Sequence, residues 1–175
     1  MKPRATFWVA AAAVLSLVSP GAWGAWHGTG NRNASLASAK LGYSLSGSNT
    51  SGGGYNWSVV LSLLGLATDQ FSVTNTGTVP ETIEAHVAST GLNLGSVKVY
   101  TCTVPFGSGI NCSGTRLDLG NAPGTKTLAA SLPAGATRYV AVQATGILGL
   151  ALNVTMAANS FAITPIGGGA NRTNG

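Results

Sequence analysis

Alternation of apolar residues with polar or small ones recurs along most of this 175-residue chain, and it limits the possible folds more than any other feature. The pattern appears in residues 40–46, 56–63, 70–74 and 82–87. A period of two places successive side chains on opposite faces of a β-strand. Each of these segments is therefore predicted to be a half-buried strand.

Further strands are predicted in the second half of the chain, at residues 96–103, 116–119, 127–132, 138–144, 150–156 and 160–164. Clusters of Gly, Pro and Asn at residues 120–124 and 133–135 favour turns between them. No part of this region combines a helical period with helix caps. The sequence therefore predicts an all-β fold, an antiparallel immunoglobulin-like β-sandwich spanning residues 40–166.

The turn Asn75-Thr76-Gly77 separates two of these strands by a short connection. Residues 82–87, which follow it, place Ile83, Ala85 and Val87 on one face. We expect residues 70–74 and 82–87 to be consecutive strands of one sheet.

The first 24 residues have the layout of a secretory signal peptide. Lys2 and Arg4 precede an apolar run, and small residues surround Trp23 before a cleavage site predicted ahead of Ala25. The alternative is an uncleaved membrane anchor, but the apolar run is shorter than the roughly 20 residues that span a bilayer. Residues 25–39 and 167–175, which flank the sandwich, are rich in small polar residues and are predicted to be flexible.

Only 7% of the residues are charged, and this limits the possible partners. Without residues 1–24, seven Lys and Arg face four Asp and Glu, a net charge of +3. The basic residues are scattered singly, so no phosphate-binding stripe forms and nucleic acid is excluded as a partner. No later apolar run is long enough to cross a membrane. The mature protein is therefore expected to be secreted or held at the cell surface, with no transmembrane segment.

Cys102 and Cys112 are the two cysteines of the chain, and both lie in the exported part. Cysteines exported to an oxidising compartment usually pair, and the Pro and Gly residues between these two allow the chain to turn back. A metal site would need further ligands, but no His, Asp or Glu lies between them. A Cys102–Cys112 disulfide is predicted, and no cofactor.

Signatures of hydrolytic chemistry are absent from the sequence. It has neither a Gly-x-Ser-x-Gly elbow nor a His-Glu-x-x-His helix. The best local cluster is Glu81, Glu84 and His86, in which the last two would share one face of a strand at a spacing suited to a shared metal. The alternative is a solvated outer face. No catalytic, cofactor-binding or metal-binding residue is assigned.

Two further features have both a functional and a structural interpretation. Tyr55 and Trp57 would form a platform for sugar stacking, or Trp57 would lie in the core with the apolar residues of its own parity. Asn-x-Ser/Thr triplets, which are glycosylation acceptors in suitable hosts but also arise by chance in such a composition, occur at Asn33, Asn49, Asn56, Asn111, Asn153 and Asn171.

One part of the chain resembles a sequence pattern of exported bacterial immunoglobulin-like sandwiches. It consists of Phe71-Ser-Val-Thr-Asn-Thr-Gly-Thr-Val-Pro80, followed by the alternating residues 82–87. Leu132-Pro-Ala-Gly135 before the strand at residues 137–142 is also similar. Among such proteins the chain resembles the TasA/camelysin-like group, which includes biofilm-matrix fibre subunits. The resemblance implies an extracellular structural subunit that polymerises by donating a β-strand to the neighbouring subunit. It also implies a peptidase alternative, because camelysin-like relatives have been regarded as peptidases.

The leading hypothesis is an exported, non-enzymatic surface or extracellular-matrix protein that associates with itself or with a cell-envelope component. In this hypothesis residues 40–46, with Leu41, Tyr43 and Leu45 on one face, pair with a neighbouring chain. Alternatively, the same residues form the first strand of their own domain. The competing function is a secreted carbohydrate-binding or cell-wall-binding module.

Overall fold

The computed structural model of the protein describes residues 39–61, 65–91, 95–147 and 149–166. The predicted signal peptide, residues 25–38 of the predicted N-terminal segment and the predicted tail at 167–175 lie outside these ranges. The strands are β1 (Tyr43–Ser46), β2 (Thr50–Ser51), β3 (Gly54–Val60), β4 (Leu66–Asn75), β5 (Glu81–Thr90), β6 (Gly95–Cys102), β7 (Arg116–Asn121), β8 (Gly124–Leu132), β9 (Thr137–Gly146), β10 (Ala151–Met156) and β11 (Phe161–Pro165). A 3-10 turn, Ala158–Ser160, separates β10 from β11. Within the described ranges, no helix has the length and apolar character needed to span a membrane.

The strands form two antiparallel sheets that pack as a sandwich. The five-stranded sheet has the order β1-β4-β9-β6-β7. In the six-stranded sheet β3 lies between β2 and β10, while β5 pairs with β8 along one edge and with β10 and then β11 along the other. The predicted antiparallel β-sandwich is confirmed.

The core lies between the two sheets and consists of the inward residues of each alternating segment. In β5, for example, Ile83, Ala85 and Val87 are fully buried, while His86 is exposed. The largest fully buried apolar side chains are Tyr55, Leu61, Ile83, Leu128, Leu132 and Met156. Removing this apolar surface from water is the main stabilising contribution to such a fold.

The predicted strands correspond to ten of the eleven observed ones. The exception is β2, which is too short, at two residues, to show a period. One predicted arrangement is wrong, because β4 and β5 lie in different sheets. The short connection between them crosses the sandwich instead of forming a hairpin.

Asn75, at the end of β4, explains this crossing. Its fully buried side-chain amide donates hydrogen bonds of 2.8 Å to the carbonyls of Val79 and Leu132, and its Oδ1 accepts one of 2.7 Å from the Gly77 N–H. The amide thus ties the turn to the end of β8, which belongs to the other sheet. A Cβ at Gly77 would collide with the backbone carbonyl of Lys40 as well as with the Glu81 carboxylate, so the turn requires glycine there.

The segment before β1 is attached to the same turn. Lys40 donates its N–H to Thr78 Oγ1 at 3.0 Å and accepts from the Thr78 N–H at 2.8 Å. β1 then pairs with β4, with Tyr43 opposite Asn75. Of the two alternatives for residues 40–46, the structure shows the first strand of the chain's own domain, beginning at Tyr43.

Candidate functional site

The predicted disulfide is present between Cys102, at the end of β6, and Cys112, with 6.0 Å between their Cα atoms. It closes the disulfide loop, residues 102–112, which folds back over the outer face of the five-stranded sheet. The loop returns through a tight turn, in which the Gly107 N–H donates to the Asn111 carbonyl at 2.7 Å. Gly109 in this turn has a φ of +62°, a conformation that side chains other than glycine rarely adopt.

Two side chains from the sheet hold the disulfide loop in place. Gln70 on β4 donates both amide hydrogens to it, at 2.9 Å to the Gly107 carbonyl and 2.7 Å to the Gly109 carbonyl. Arg116 on β7 donates to the Ile110 carbonyl at 3.0 Å, and its guanidinium lies 5.7 Å from the centroid of the Tyr100 ring. The loop is therefore held by β4 and by β7, the strands on either side of β9 and β6.

A second, smaller apolar cluster forms beneath the loop. Tyr100, Cys102, Phe106 and Ala141 are buried there, although three of them lie on the outward face of β6 and β9. Outward residues of an antiparallel sheet usually face water. Here the disulfide loop covers them and turns part of the outer face into a second core.

A groove of about 200 Å³ runs beside this cluster, between the loop and the sheet. It is lined by Ser46, Gln70, Phe71, Ser72, Pro105, Phe106 and Tyr139. Its floor is one row of the sheet: Ser46 on β1 lies opposite Ser72 on β4, and Ser72 lies opposite Tyr139 on β9. Pro105 and Phe106 of the loop form the wall.

The lining of the groove is more apolar than polar in area, and it contains no Asp, Glu, Lys, Arg or His. Tyr139 is half-buried and supplies an aromatic ring and a hydroxyl, and two serines supply further hydroxyls. Gln70 uses its amide hydrogens on the loop, so its Oε1 is the atom left to accept from a ligand. The groove thus combines an apolar ring with neutral hydrogen-bonding groups, an arrangement that suits an uncharged, hydroxyl-rich ligand.

The structure separates the three residues of the metal-binding hypothesis. Glu81 is fully buried on the inner face of β5, where its Oε1 accepts from the Gly42 N–H at 2.9 Å. Glu84 lies on the outer face and accepts from Thr127 Oγ1 at 2.8 Å, and His86 is exposed on that same face. No three His, Cys, Asp or Glu side chains converge on a possible metal position among the described residues.

The proposed aromatic platform is part of the core. Trp57 is 7% exposed and Tyr55 2%, and the Tyr55 ring stacks on Phe71 with centroids 4.6 Å apart. Burial raises the pKa of Tyr55, and the nearby negative charge of Asp69 raises it further. The Tyr55 hydroxyl and one Asp69 oxygen are buried, but no hydrogen bond of good geometry joins them.

Four of the six Asn-x-Ser/Thr triplets lie in the described ranges. Asn56 and Asn153 belong to neighbouring strands on the outer face of the six-stranded sheet, Asn49 precedes β2, and Asn111 lies in the disulfide loop. Asn33 and Asn171 lie outside the described residues.

Sequence reasoning did not identify Gln70, Phe106 or Tyr139 as site residues. In the structure both Gln70 and Tyr139 lie on the outer face of their sheet, which is ordinarily solvated. The signal that could have indicated this site is the aromatic Tyr139 at an outward position, in a chain whose two cysteines close a loop able to cover it.

The sequence matches no protein-family model and no curated protein. Among solved structures, the chain is similar to TmCBM61 in complex with β-1,4-galactotriose, at 7% identity over 70% of this chain and 88% of that one, with a TM-score of 0.32. It is also similar to the VP2 subviral particle of infectious bursal disease virus, at 10% identity over 74% of this chain and 38% of that one, with a TM-score of 0.39. A third similar structure is the enzymatically active domain of bacteriophage CBA120 tailspike protein 4. The identity is 10% over 71% of this chain and 19% of that one, with a TM-score of 0.33. Likenesses of this size assign neither a family nor a function.

Proposed function

We propose that the protein is an exported, non-enzymatic β-sandwich module that binds a neutral saccharide in the groove beside the disulfide loop. The observation that carries this proposal is the lining of the groove. The Tyr139 ring, the Gln70 amide and two serine hydroxyls surround it, and no side chain with a full charge contributes. A sugar ring has apolar C–H faces that pack on aromatic rings, and hydroxyls that pair with amides and other hydroxyls.

The size and rigidity of the groove support the same proposal. Its volume of about 200 Å³ is below the roughly 300–1,000 Å³ of sites for drug-sized ligands, which fits a single sugar unit. Gln70, Arg116 and the disulfide hold the wall in place before a ligand arrives. A preformed site reduces the ordering cost of binding.

A binding experiment with wild-type protein tests the proposal. The secreted protein is passed over immobilised neutral polysaccharides, and affinities for soluble sugars are measured by calorimetry. Tyr139→Ala is expected to weaken binding about tenfold, because loss of one stacked ring is worth about 1 to 1.5 kcal/mol. Gln143→Ala changes the same face of β9 outside the groove and should leave the affinity unchanged. Equal effects of both substitutions, or no retention of the wild type, would contradict the proposal.

The second candidate is a surface or extracellular-matrix subunit of the TasA-like kind. The observation that favours it is the position of β1, an edge strand of four residues that pairs only with β4 in its sheet. An edge strand of this kind can leave its own sheet and complete that of a neighbour.

Assembly at high concentration distinguishes this candidate from the first. A matrix subunit forms filaments visible by electron microscopy, and deletion of residues 25–46 yields a monomer that binds a peptide of that sequence. If the full-length protein stays monomeric, or if the truncated protein assembles equally well, strand exchange is excluded.

A further inference from the structure

Strand β7 forms one edge of the five-stranded sheet. It pairs with β6, and no other strand among the described residues pairs with it. Its first three residues, Arg116, Leu117 and Asp118, are all exposed, so this part of the edge is open to solvent. The backbone groups along an open edge can form a new ladder with an extended segment of another chain.

Leu117 is an apolar residue of this edge that the chain's own core does not cover. Alternation along β7 gives it the same face as Leu119, which packs against the core between the sheets. Leu117 is nevertheless 54% exposed. A partner that covered this side chain would remove its apolar surface from water, which favours association.

Arg116 and Asp118 flank Leu117 on the outer face of the sheet. The Arg116 guanidinium lies near the Tyr100 ring on that face, and Asp118 Oδ2 lies 3.6 Å from Lys98 Nζ. Two opposite charges placed symmetrically about one residue complement a second copy of the same strand.

The complementarity depends on the register of the two copies. In antiparallel pairing about a two-fold axis at Leu117, each Arg116 lies opposite Asp118 of the second copy, and opposite charges at facing positions stabilise a sheet. An axis at Arg116 or at Asp118 would instead place like charges opposite each other, which is destabilising. The charges therefore favour the register centred on Leu117 over its two neighbours.

Strand β8, which follows β7 after a short turn and forms an edge of the other sheet, is less suited to such pairing. Its Lys126 lies opposite the buried Ala85 in register and therefore shares the inward face. An inward-pointing charge on an edge strand discourages pairing with another chain. No such charge protects β7, since its inward residues are Leu117 and Leu119.

We propose that two copies of the protein associate through β7, in antiparallel pairing centred on Leu117. The two five-stranded sheets then form one continuous sheet, with both disulfide loops on the same outer face. About five residues pair on each side, against the roughly 20–30 residues a side of a standard complex, so the dimer is weak and depends on protein concentration. This inference does not depend on the proposed function of the groove.

Sedimentation equilibrium of the full chain, at concentrations up to about 1 mM, tests the inference. The wild type is expected to dimerise, and to do so less at high salt, which screens exposed charges. Arg116→Asp opposes two acidic side chains and Asp118→Arg opposes two basic ones, so each is expected to weaken dimerisation at least about tenfold. The control Lys40→Asp alters the net charge as Arg116→Asp does, at an exposed position outside β7, and should not change the association.

A mixture of the two single variants separates edge pairing from any change in the disulfide loop. In the mixture an acidic β7 meets a basic one, so both facing pairs again have opposite charges. The two variants are expected to associate with each other about as tightly as the wild type does with itself. A repaired loop cannot explain this recovery, because Arg116→Asp lacks the hydrogen bond to the Ile110 carbonyl in both samples.

Three results would overturn the inference. The first is a wild type that stays monomeric over the whole concentration range. The second is a dimer that persists unchanged in both single variants, since another surface, such as the β1 edge, would then carry the association. The third is a mixture of the two variants that associates no more tightly than either variant alone.

Discussion

Gln70 on β4 donates a side-chain hydrogen bond of 2.7 Å to the carbonyl of Gly109, at the tip of the disulfide loop. The two residues are 39 positions apart in sequence, and the same amide also reaches the Gly107 carbonyl at 2.9 Å. This amide joins the sheet to the loop that forms the wall of the groove. The shape of the groove therefore depends on one neutral side chain together with the disulfide.

Substitution of this amide should loosen the loop without unfolding the sandwich. Gln70→Leu removes both donors and leaves two carbonyls at partly exposed positions, where water replaces the lost bonds in part. We expect the free energy of unfolding in urea to fall by about 1 kcal/mol. Proteolysis within residues 103–111 should become faster. The matched variant Gln143→Leu, on the outer face of the same sheet, should change neither quantity. An equal response of the two variants would show that the Gln70 hydrogen bonds contribute nothing to holding the loop.

Removal of the disulfide should have a larger effect on stability. In the double variant Cys102→Ser/Cys112→Ser the unfolded chain regains the freedom that closure of a ten-residue separation had removed. The loop-closure model gives a loss of about 2 to 3 kcal/mol in the free energy of unfolding. Denaturation of the wild type with and without a reducing agent should give the same difference. A loss well below 1 kcal/mol would mean that the hydrogen bonds and the small core alone hold the loop.

Residue alternation predicts the strands of this protein because nearly every strand has one face in the core. β10 illustrates this, since Leu152, Val154 and Met156 are buried as their parity requires. Alternation does not show which strands pair. The connection after β4 has the length of a hairpin, but the hydrogen bonds of the Asn75 side chain direct it to the other sheet.

The groove was harder to predict for a related reason. Parity tells which face of a sheet a side chain occupies, but not what covers that face. Tyr139 and Ala141 occupy outward positions, and their environment depends on a loop from another part of the chain. The disulfide was predictable from two cysteines, whereas the path of the loop over the sheet depends on long-range contacts such as those of Gln70.

Asn75 should be among the most sensitive polar residues of the sandwich. Asn75→Ala leaves the Leu132 carbonyl without its partner at a buried position, and the Val79 carbonyl and the Gly77 N–H without theirs at partly buried positions. Each unsatisfied buried group costs about 1 to 3 kcal/mol, and partial rearrangement reduces the sum, so we expect a loss of about 3 kcal/mol in the free energy of unfolding. Asn121→Ala, at an exposed position of β7, is the control and should change it little. Comparable losses in the two variants would contradict this role.

Alkaline pH should destabilise the protein through Tyr55. Its pKa in the folded chain lies above the ordinary 10.0, because burial disfavours the phenolate and the charge of Asp69 opposes it further. Above about pH 10 the unfolded chain releases this proton while the folded chain keeps it, so the unfolded state binds fewer protons. The contribution of Tyr55 is therefore complete below pH 10 and declines above it, by up to about 1.4 kcal/mol for each further pH unit.

Urea denaturation of the wild type and of Tyr55→Phe, from about pH 9 to about pH 11, measures this contribution. Phenylalanine keeps the ring that stacks on Phe71 but has no proton to release, so the decline with pH should be shallower in the variant. Burial also raises the pKa of Tyr43, which leaves part of the decline in both proteins. Phe71→Leu is the control, because it weakens the same stack without removing a titrating group and should keep the wild-type dependence on pH. Parallel curves for the wild type and Tyr55→Phe would show that Tyr55 ionises as readily in the folded chain as in the unfolded one.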